Sequence, residues 1–464
     1  MSPQPRFYAV ANLHQFFVKF GVLAVSYGLP PTLLAEWKFA PSPGVAASSD
    51  LLVSFAAVST PGANLGRGRV DPDTGLSEED PTWGEAAVEP ALHWSTTGIG
   101  EGSWYGHLSA AGAITFGDGD PGGFTAGGDG QFDVEGASVG WRSAPIEIAP
   151  SRPVFDVSVG RQELNIGDGF LIDDGNFDFR DDGGVWLVPR QAFQRTAIGR
   201  MDYRALHLDA FFLEADPDHD ETAVAGVNLE HRFAANGHLG LLYFHVVDSD
   251  RPTLFGARHG MNVTSVRVND FHLPQWSQVA MWGEYTRESG SGRNGGFDAS
   301  AWYGEVIYTF QERPWTPSLS YRYAYFSGDA NANDTTRRDF DGFFYGFDKR
   351  GWGTWFQGEV TGGWLLFNSN QQNHLVKLSG SPNDSLTVGL IGGTYHLAES
   401  HYLGIPVTDD HFGDEINVYA DWLLNDRISI SAGYGVLFPG DAAIQAFGDD
   451  QRYHILELGI YLNF

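Results

Sequence analysis

Apolar and polar residues alternate along most of this chain, from about residue 50 to the C-terminus. The alternating segments run for roughly 9 to 14 residues, and a tilted strand needs about 9 to 11 to cross a bilayer. Between Glu415 and Leu424, one face carries Ile416, Val418, Ala420, Trp422 and Leu424, and the other carries Glu415, Asn417, Tyr419 and Asp421. Asn425-Asp426 then suits a tight turn, and Ile428 begins a returning strand. The pattern predicts an all-β fold, a transmembrane antiparallel up-and-down barrel.

The alternation predicts 18 strands, an even number as in bacterial single-chain barrels. They centre on residues 51–58, 86–97, 103–116, 131–142, 153–162, 194–203, 205–215, 222–233, 238–247, 260–270, 276–287, 298–310, 318–327, 372–380, 386–397, 415–424, 428–438 and 453–464. Long acidic loops and short turns join them, which is typical of long outer loops and short periplasmic turns. Trp352 to Phe367 is apolar, but its glycines break the alternation, so we assign it to a loop. A soluble sandwich alternates similarly, although its strands are usually only about five or six residues long.

The composition narrows the class of protein further. The chain has no cysteine, which excludes disulfides and cysteine-based metal or redox sites. A formal net charge of −30 disfavours nucleic acid as a partner, because phosphate binding needs a basic surface. The body of the chain has no apolar run long enough for a membrane-spanning helix. An acidic soluble protein of halophilic type remains the compositional alternative.

The first 48 residues differ from the rest, and we predict a signal-like or disordered segment before a single barrel domain of residues 49–464. Phe16 to Ala35 is largely apolar, follows Arg6 and is interrupted by Lys19 and two prolines. Small residues suited to cleavage follow at Leu33-Leu34-Ala35 and at Val45-Ala46-Ala47-Ser48.

The C-terminus carries the most specific short motif. Glu457, Gly459, Leu462 and Phe464 fit the spacing polar, any, glycine, any, any, apolar, any, apolar, and Phe464 ends the chain. This resembles the assembly signal that the outer-membrane insertion machinery reads. A strand with an apolar face and a free edge can pair with a β-template. The alternative is an ordinary amphipathic strand that happens to end in phenylalanine.

Several short stretches share an order and spacing with a known family. They are Val159-Gly160-Arg161-Gln162, Tyr325-Phe326-Ser327-Gly328-Asp329, Asn333-Asp334, Phe340-Asp341-Gly342-Phe343-Phe344-Tyr345-Gly346, Asn368-Ser369-Asn370, Gly413-Asp414-Glu415 and Phe438-Pro439-Gly440-Asp441. With them the chain resembles the alginate-export family of outer-membrane porins over roughly residues 50 to 464. The resemblance implies an 18-stranded monomeric barrel. The member that gives the family its name passes a polyanionic polysaccharide through a basic lumen.

Strand parity predicts which charged side chains face the lumen. The acidic ones include Glu230, Glu284, Glu305, Glu415, Asp421 and Glu457, and the basic ones include Arg200, Arg232, Arg322 and Lys377. A polyanion needs a net positive constriction, so the resemblance does not carry alginate specificity onto this chain. Two loops, from Arg161 to Arg190 and from Ser327 to Gly351, are expected to fold inward. They could supply a basic ring from Arg161, Arg180, Arg190, Arg195, Arg337, Arg338 and Arg350.

We therefore expect a passive outer-membrane channel for hydrophilic solutes or saccharides, with a lumen less basic than that of alginate exporters. The alternatives are a non-conducting structural barrel or sleeve for a partner protein, and an exporter of a polyanionic polysaccharide. The expected partners are outer-membrane lipid, lipopolysaccharide and the insertion machinery. No catalytic cluster, cofactor or metal site is predicted. Asp216, Asp218 and Asp220 alternate like a calcium loop, but Glu221 and Val227 occupy the places of its glycine and glutamate.

Overall fold

A computed structural model gives the architecture of the chain. The structure describes residues 37–464 except 43, 71–76, 79, 97–101, 147–151, 177–182, 188, 217–221, 234–236, 250–256, 274, 293–294, 332–333, 347–350 and 354–356. The apolar segment expected to act as a signal, Phe16 to Ala35, lies outside the described residues.

Eighteen antiparallel strands form one closed barrel, which confirms the predicted fold class and strand number. The strands are β1 Val45–Ser59, β2 Thr82–Thr96, β3 Gly102–Gly117, β4 Gly130–Ser143, β5 Val154–Gln162, β6 Phe193–Tyr203, β7 Leu206–Glu214, β8 Ala223–Phe233, β9 Gly237–Asp248, β10 Met261–Leu273, β11 Trp276–Gly292, β12 Gly295–Thr309, β13 Ser318–Phe326, β14 Gln371–Asn383, β15 Leu386–Leu397, β16 His411–Asn425, β17 Ile428–Pro439 and β18 Tyr453–Asn463. Each strand pairs with the next along the chain. Such a barrel satisfies every strand without leaving a sheet edge in lipid.

The barrel closes between its first and last strands. β1 pairs with β18 from Leu52 opposite Asn463 to Ser59 opposite Leu456, and Leu51 and Phe464 exchange two backbone hydrogen bonds. A further strand, Trp37–Ser42, pairs with the start of β1. The sheet therefore begins before residue 49, the boundary expected from the sequence. The small residues from Val45 to Ser48, which resemble a cleavage site, lie in the wall opposite β2.

The two faces of the wall differ as the alternation predicts. Large apolar side chains are exposed on the outside, such as Val418 and Trp422 of β16 and Leu456 and Leu458 of β18. Their neighbours of opposite parity point inward and are buried, as Glu457 is. A continuous apolar outer band is what a surrounding bilayer requires.

Shorter elements lie in the loops. The small paired strands are Arg69–Val70 with Ser77–Glu78, His401–Tyr402 with Ile405–Pro406, and Thr336–Arg337 with the start of β12. A tight turn occupies Ala63–Gly66, a π-helical turn occupies Thr361–Leu366, and helix α1 spans Asp441–Phe447. Within the described part of the chain, no helix is long and apolar enough to span a membrane.

Candidate functional site

Ten of the charged side chains predicted to line the lumen or its inward loops lie on the inner face of the wall. They are Arg161, Arg200, Arg232, Arg322, Lys377, Glu230, Glu284, Glu305, Asp421 and Glu457. Four of them, Arg322, Glu284, Glu305 and Glu457, are no more than 8% exposed. Protein therefore covers several of the carboxylates that parity places in the lumen.

That covering protein comes from two long loops. The β5–β6 loop (163–192) and the β13–β14 loop (327–370) enter the lumen from the outer rim, and we call their described residues the plug. They meet at a parallel bridge between Ile172 and Phe344, where the amide of Phe344 donates to the carbonyl of Leu171 over 3.1 Å. The predicted inward folding is confirmed. The second loop contributes more than expected, because its apolar continuation to Phe367 is also buried in the lumen.

Wall carboxylates hold the plug by its backbone. Glu85 of β2 accepts hydrogen bonds from three successive amides, Val185 to Leu187, over 2.8 to 3.0 Å. Glu135 of β4 accepts from the amides of residues 191 and 192, each over 2.8 Å. Glu415 of β16 accepts from those of residues 360 and 361, over 3.0 and 2.7 Å. Irregular backbone inside a barrel needs such acceptors, because it has no sheet partner.

Two tryptophans of the plug use a second, repeated arrangement. The indole N–H of Trp186 donates to Glu457 over 3.1 Å, and that of Trp352 donates to Asp421 over 3.0 Å. Each ring lies against a glycine of the wall. A Cβ on Gly459 would come within 2.7 Å of Trp186, and one on Gly433 within 2.4 Å of Trp352. These positions must therefore lack a side chain if the rings are to lie in place.

A buried ion pair joins the plug to another outer loop. Arg258, which precedes β10, donates to both oxygens of Asp341 over 2.8 and 2.7 Å. Arg337 lies 3.2 Å from the same carboxylate. Burial alone would raise the pKa of Asp341, but the two guanidinium groups outweigh it and hold that pKa below its ordinary value. The β13–β14 loop is therefore held by the loop that precedes β10 as well as by the barrel wall.

The arginines proposed for a basic ring are used differently. Arg161 and Arg190 face inward and share Asp216, at 2.7 and 3.2 Å. Asp216, a candidate for the calcium-like stretch, is thus an ion-pair partner, and Asp218 and Asp220 lie outside the described residues. The other candidates form no ring: Arg195 pairs with Glu214 on the outer face, Arg337 binds Asp341, Arg338 binds Asp329 and Asp334, and Arg180 and Arg350 are not among the described residues.

Basic residues near the middle of the barrel wall also interact with other groups. Arg267 of β10 is almost fully buried and donates to Glu230 over 2.6 Å. The Arg322 guanidinium lies 4.8 Å from the ring centroid of Tyr303. Lys377 donates to the carbonyl of Trp352 over 3.2 Å. These cations support the lower surface of the plug.

The half of the lumen nearest the short turns is more open. Part of its polar lining, on β4 to β8, is what we call the charged vestibule, and its residues are Arg142, Asp156, Arg200, Asp202, His207, Asp209 and Arg232. Here Arg200 lies 3.4 Å from Asp156 and 3.7 Å from Asp209, and its side chain is 27% exposed. Arg232 is 48% exposed and lies 3.7 Å from Asp202. Accessible charges of both signs therefore occur together.

Comparison with known proteins identifies the family. A family model described as alginate export matches residues 146–456, which is more than half of the chain. The chain belongs to the alginate export family. In sequence, no curated protein matches it.

Solved structures of other proteins have the same barrel architecture as this chain. OccD3 (OpdP) of Pseudomonas aeruginosa superimposes with a TM-score of 0.55 at 10% identity, covering 97% of this chain and 98% of that one. OccK5 (OpdH) of the same organism gives 0.53 at 10% identity, covering 90% and 98%. A BenF-like porin from Pseudomonas fluorescens Pf-5 gives 0.55 at 10% identity, again covering 90% and 98%. The alginate-export chain is thus a bacterial outer-membrane β-barrel of the porin type.

The sequence missed several residues that build the site of this alginate-export barrel. Glu85 and Glu135 have lumen parity and could have been found by it, as Asp156 and Asp209 could. Arg267 shares the inward parity of Met261, Val263 and Ser265 on β10, so parity could have found it as well. Described residues contain no cluster of three or more histidines and carboxylates placed for a metal ion.

The C-terminal motif has a structural role as well as its predicted one. Glu457 and Gly459 seat the plug, whereas Leu462 and Phe464 belong to the outer face and the closing seam. Recognition by the insertion machinery stays a prediction for these four residues. The contacts of Trp186 are by themselves a reason for glutamate at 457 and glycine at 459. These two positions of the motif therefore need not reflect recognition by the insertion machinery.

Proposed function

We propose that this barrel is a narrow channel for the passive diffusion of small hydrophilic solutes, including small saccharides. The observation that carries the proposal is the division of the lumen into a plug fastened to the wall and a charged vestibule below it. Selectivity in such channels is set by bore and lining charge. A plug that fills much of the bore favours small solutes over polymers.

The accessible lining supports a lumen less basic than an exporter of polyanions needs. Arg200 and Arg232 each have carboxylates within 4 Å, and Arg161 and Arg190 are covered and share Asp216. Paired charges produce little net potential beyond the Debye length of about 8 to 10 Å at physiological salt. We therefore propose weak cation selectivity or almost none.

Two other functions have less support from the arrangement of the lumen. Export of a polyanionic polysaccharide would need a continuous basic path, and the inward-facing Arg161, Arg190, Arg200, Arg232 and Arg267 are instead held in ion pairs. A non-conducting sleeve would suit the tight plug but not a polar vestibule beneath it. We propose no catalytic role. We further propose that the barrel wall contacts outer-membrane lipid and lipopolysaccharide and reaches the membrane through the insertion machinery.

Planar-bilayer recording tests the proposal. The purified barrel should give small, discrete conductance steps, with a reversal potential near zero or slightly on the cation side in a KCl gradient. Oligomers of uronic acid should block the current weakly or not at all. A clear preference for chloride together with strong block would favour polyanion export, and no conductance from folded, inserted barrels would favour the sleeve.

A further inference from the structure

We propose that the charged vestibule is a binding site for small zwitterionic solutes such as free amino acids. This rests on the proposed channel function, which it refines by naming a substrate class. The site would be the point at which a solute is recognised beside the plug.

The geometry of the wall places charges of opposite sign in a row. Arg142 of β4 lies directly across from Asp156 of β5, which lies across from Arg200 of β6, which lies across from Asp209 of β7. Neighbouring strands are about 4.8 Å apart, so the row alternates in sign at that interval. An ammonium and a carboxylate of one small molecule can therefore reach groups of opposite sign on adjacent strands.

A second row runs closer to the short turns. Asp202 of β6 lies across from His207 of β7, and the His207 ring contacts Asp202 over 2.8 Å and Asp209 over 3.0 Å. Arg232 of β8 lies 3.7 Å from Asp202. The alternation of sign is thus repeated in two dimensions along this part of the wall.

Neighbouring groups fix the position of the row. The Tyr105 hydroxyl donates to Asp156 over 2.6 Å, and the side-chain NH₂ group of Asn228 donates to Asp209 over 2.8 Å. Gly140 makes room for the first contact, because a Cβ there would lie 2.4 Å from the Tyr105 hydroxyl oxygen. The carboxylates are therefore oriented before any solute arrives, which lowers the entropic cost of binding.

Exposure shows which groups a solute can reach. Asp209 is 5% exposed, whereas the side chains of Arg200 and Asp202 are 27% and 41% exposed. The buried carboxylate anchors the row, and its partners present donors and acceptors to the lumen. The Arg200 contacts of 3.4 and 3.7 Å are longer than an ideal charge-assisted hydrogen bond of about 2.7 to 2.9 Å. A solute carboxylate can approach this guanidinium more closely than its present partners do.

The alternation of sign selects the class of solute. A simple anion or cation meets as many repulsive as attractive groups in such a row. A neutral polyol forms hydrogen bonds but brings no charge to replace an ion pair that it interrupts. When a zwitterion interrupts an ion pair of the wall, its ammonium can bind the wall carboxylate and its carboxylate can bind the wall arginine. Each charged group of the wall then keeps a charge-assisted hydrogen bond. The site should therefore prefer a zwitterion to a neutral molecule of similar size.

Swelling of proteoliposomes in isosmotic solutes tests this preference. We expect L-glutamine to enter several-fold faster than xylitol, a neutral polyol of similar size, through the wild-type barrel. Arg200→Gln and Asp156→Asn should each remove most of that difference, chiefly by slowing L-glutamine entry. Arg195→Gln is the matched control, since it opens an ion pair on the outer face and should leave both rates unchanged.

Reversal potentials in a KCl gradient provide a second measurement, in which the two variants should shift ion selectivity in opposite directions. Arg200→Gln should shift the selectivity towards potassium, and Asp156→Asn should shift it towards chloride, because each leaves the opposite charge in excess. If either variant fails to insert, Asp202→Asn provides the same test at a more exposed position and should also shift selectivity towards chloride.

The outcomes separate the two proposals. Equal entry of L-glutamine and xylitol through conducting wild-type barrels would overturn the zwitterion site and leave the channel function standing. A preference that survives in both Arg200→Gln and Asp156→Asn would equally overturn it. Heat-modifiable, inserted barrels that pass no ions and neither solute would overturn the channel function itself.

Discussion

The two halves of the lumen contain similar inward-facing charges and use them differently. In the outer half, Glu85, Glu135 and Glu415 accept hydrogen bonds from the backbone of the plug. In the inner half, Asp156 and Asp202 pair with arginine side chains that remain partly accessible. An inward carboxylate is therefore not necessarily a pore charge, because its role depends on whether a loop covers it.

The difference follows from what each half must satisfy. A loop inside a barrel carries backbone N–H groups with neither water nor a neighbouring strand to accept them, and an unmade buried hydrogen bond costs about 1 to 3 kcal/mol. Carboxylates can accept several donors at once, as Glu85 does. Among the described residues, no such loop enters the vestibule, so its carboxylates can interact with side chains and solutes.

Removing the two tryptophans of the plug should have the largest effect on the difference between the outer and inner halves of the lumen. In a Trp186→Ala/Trp352→Ala variant, both seats against the wall are lost, and each large-to-small change of a buried tryptophan costs about 3 to 5 kcal/mol. The plug should leave its position for much of the time, and single-channel conductance should rise several-fold in planar bilayers.

Trp302→Ala is the control for that variant. Trp302 is 40% exposed on the outer face of β12, so its loss removes a comparable ring without touching the plug. Conductance that is unchanged in the double variant, with both proteins folded, would show that the plug does not narrow the pathway.

The sequence predicted the wall far better than the lumen. Strand number and parity follow from local alternation, since every second side chain must face lipid. The long loops obey no such period, so their inward path could be anticipated but not the partners of Trp186 or Trp352. Parity assigned Glu284 and Glu457 to the lumen but could not show that they are covered, because contacts between wall and plug join residues far apart in the chain.

Variants at Gly459 and Phe464 test the two roles of the C-terminal motif separately. Gly459→Val places a side chain against Trp186 and should raise conductance, by less than the double tryptophan variant does because only one seat is lost. Phe464→Ala should instead reduce the amount of inserted barrel and leave the conductance of each inserted channel unchanged. Heat-modifiable band intensity measures the first quantity, and single-channel recording measures the second.

Gly304→Val is the matched control for Gly459→Val. No described atom lies within 4 Å of a Cβ at Gly304, which faces outward, so the added side chain should be accommodated. Normal insertion of Phe464→Ala would show that the terminal motif is an ordinary strand end. Normal conductance of Gly459→Val would show that the contact between Trp186 and the wall does not hold the plug.

Glu85→Gln should have a smaller effect of the same kind. The amide oxygen can keep part of the acceptor geometry, but its NH₂ group faces donors, and hydrogen bonds to charged groups contribute about 1.5 to 3 kcal/mol. We expect brief openings to a higher conductance level rather than a new stable level. Asp202→Asn in the vestibule changes a carboxylate that holds no described part of the plug and should produce no such openings. Identical traces for wild type and Glu85→Gln would contradict the anchoring role.

The smallest expected effect concerns pH. Glu359 lies within the plug and accepts a hydrogen bond from the amide of Gly353 over 2.6 Å. Burial raises its pKa well above the ordinary value of 4.5, and the carboxylates of Glu457 and Glu415 add to the rise, opposed in part by the hydrogen bond from Gly353 and by Lys377. The seated plug thus binds a proton that a released plug gives up. Its stability is full below 4.5 and falls as pH rises towards the raised pKa.

Wild-type channels should therefore show slightly more frequent openings as pH rises from 4.5, and Glu359→Gln should flatten that dependence, because its neutral amide does not ionise and can still accept from Gly353. Asp202→Asn should retain the wild-type profile, since it lies outside the plug. Current recordings at matched salt over a pH series measure both. If Glu359→Gln keeps the full pH dependence, the titrating group lies elsewhere, and the contrast between a covered and an open half of the lumen would not extend to protonation.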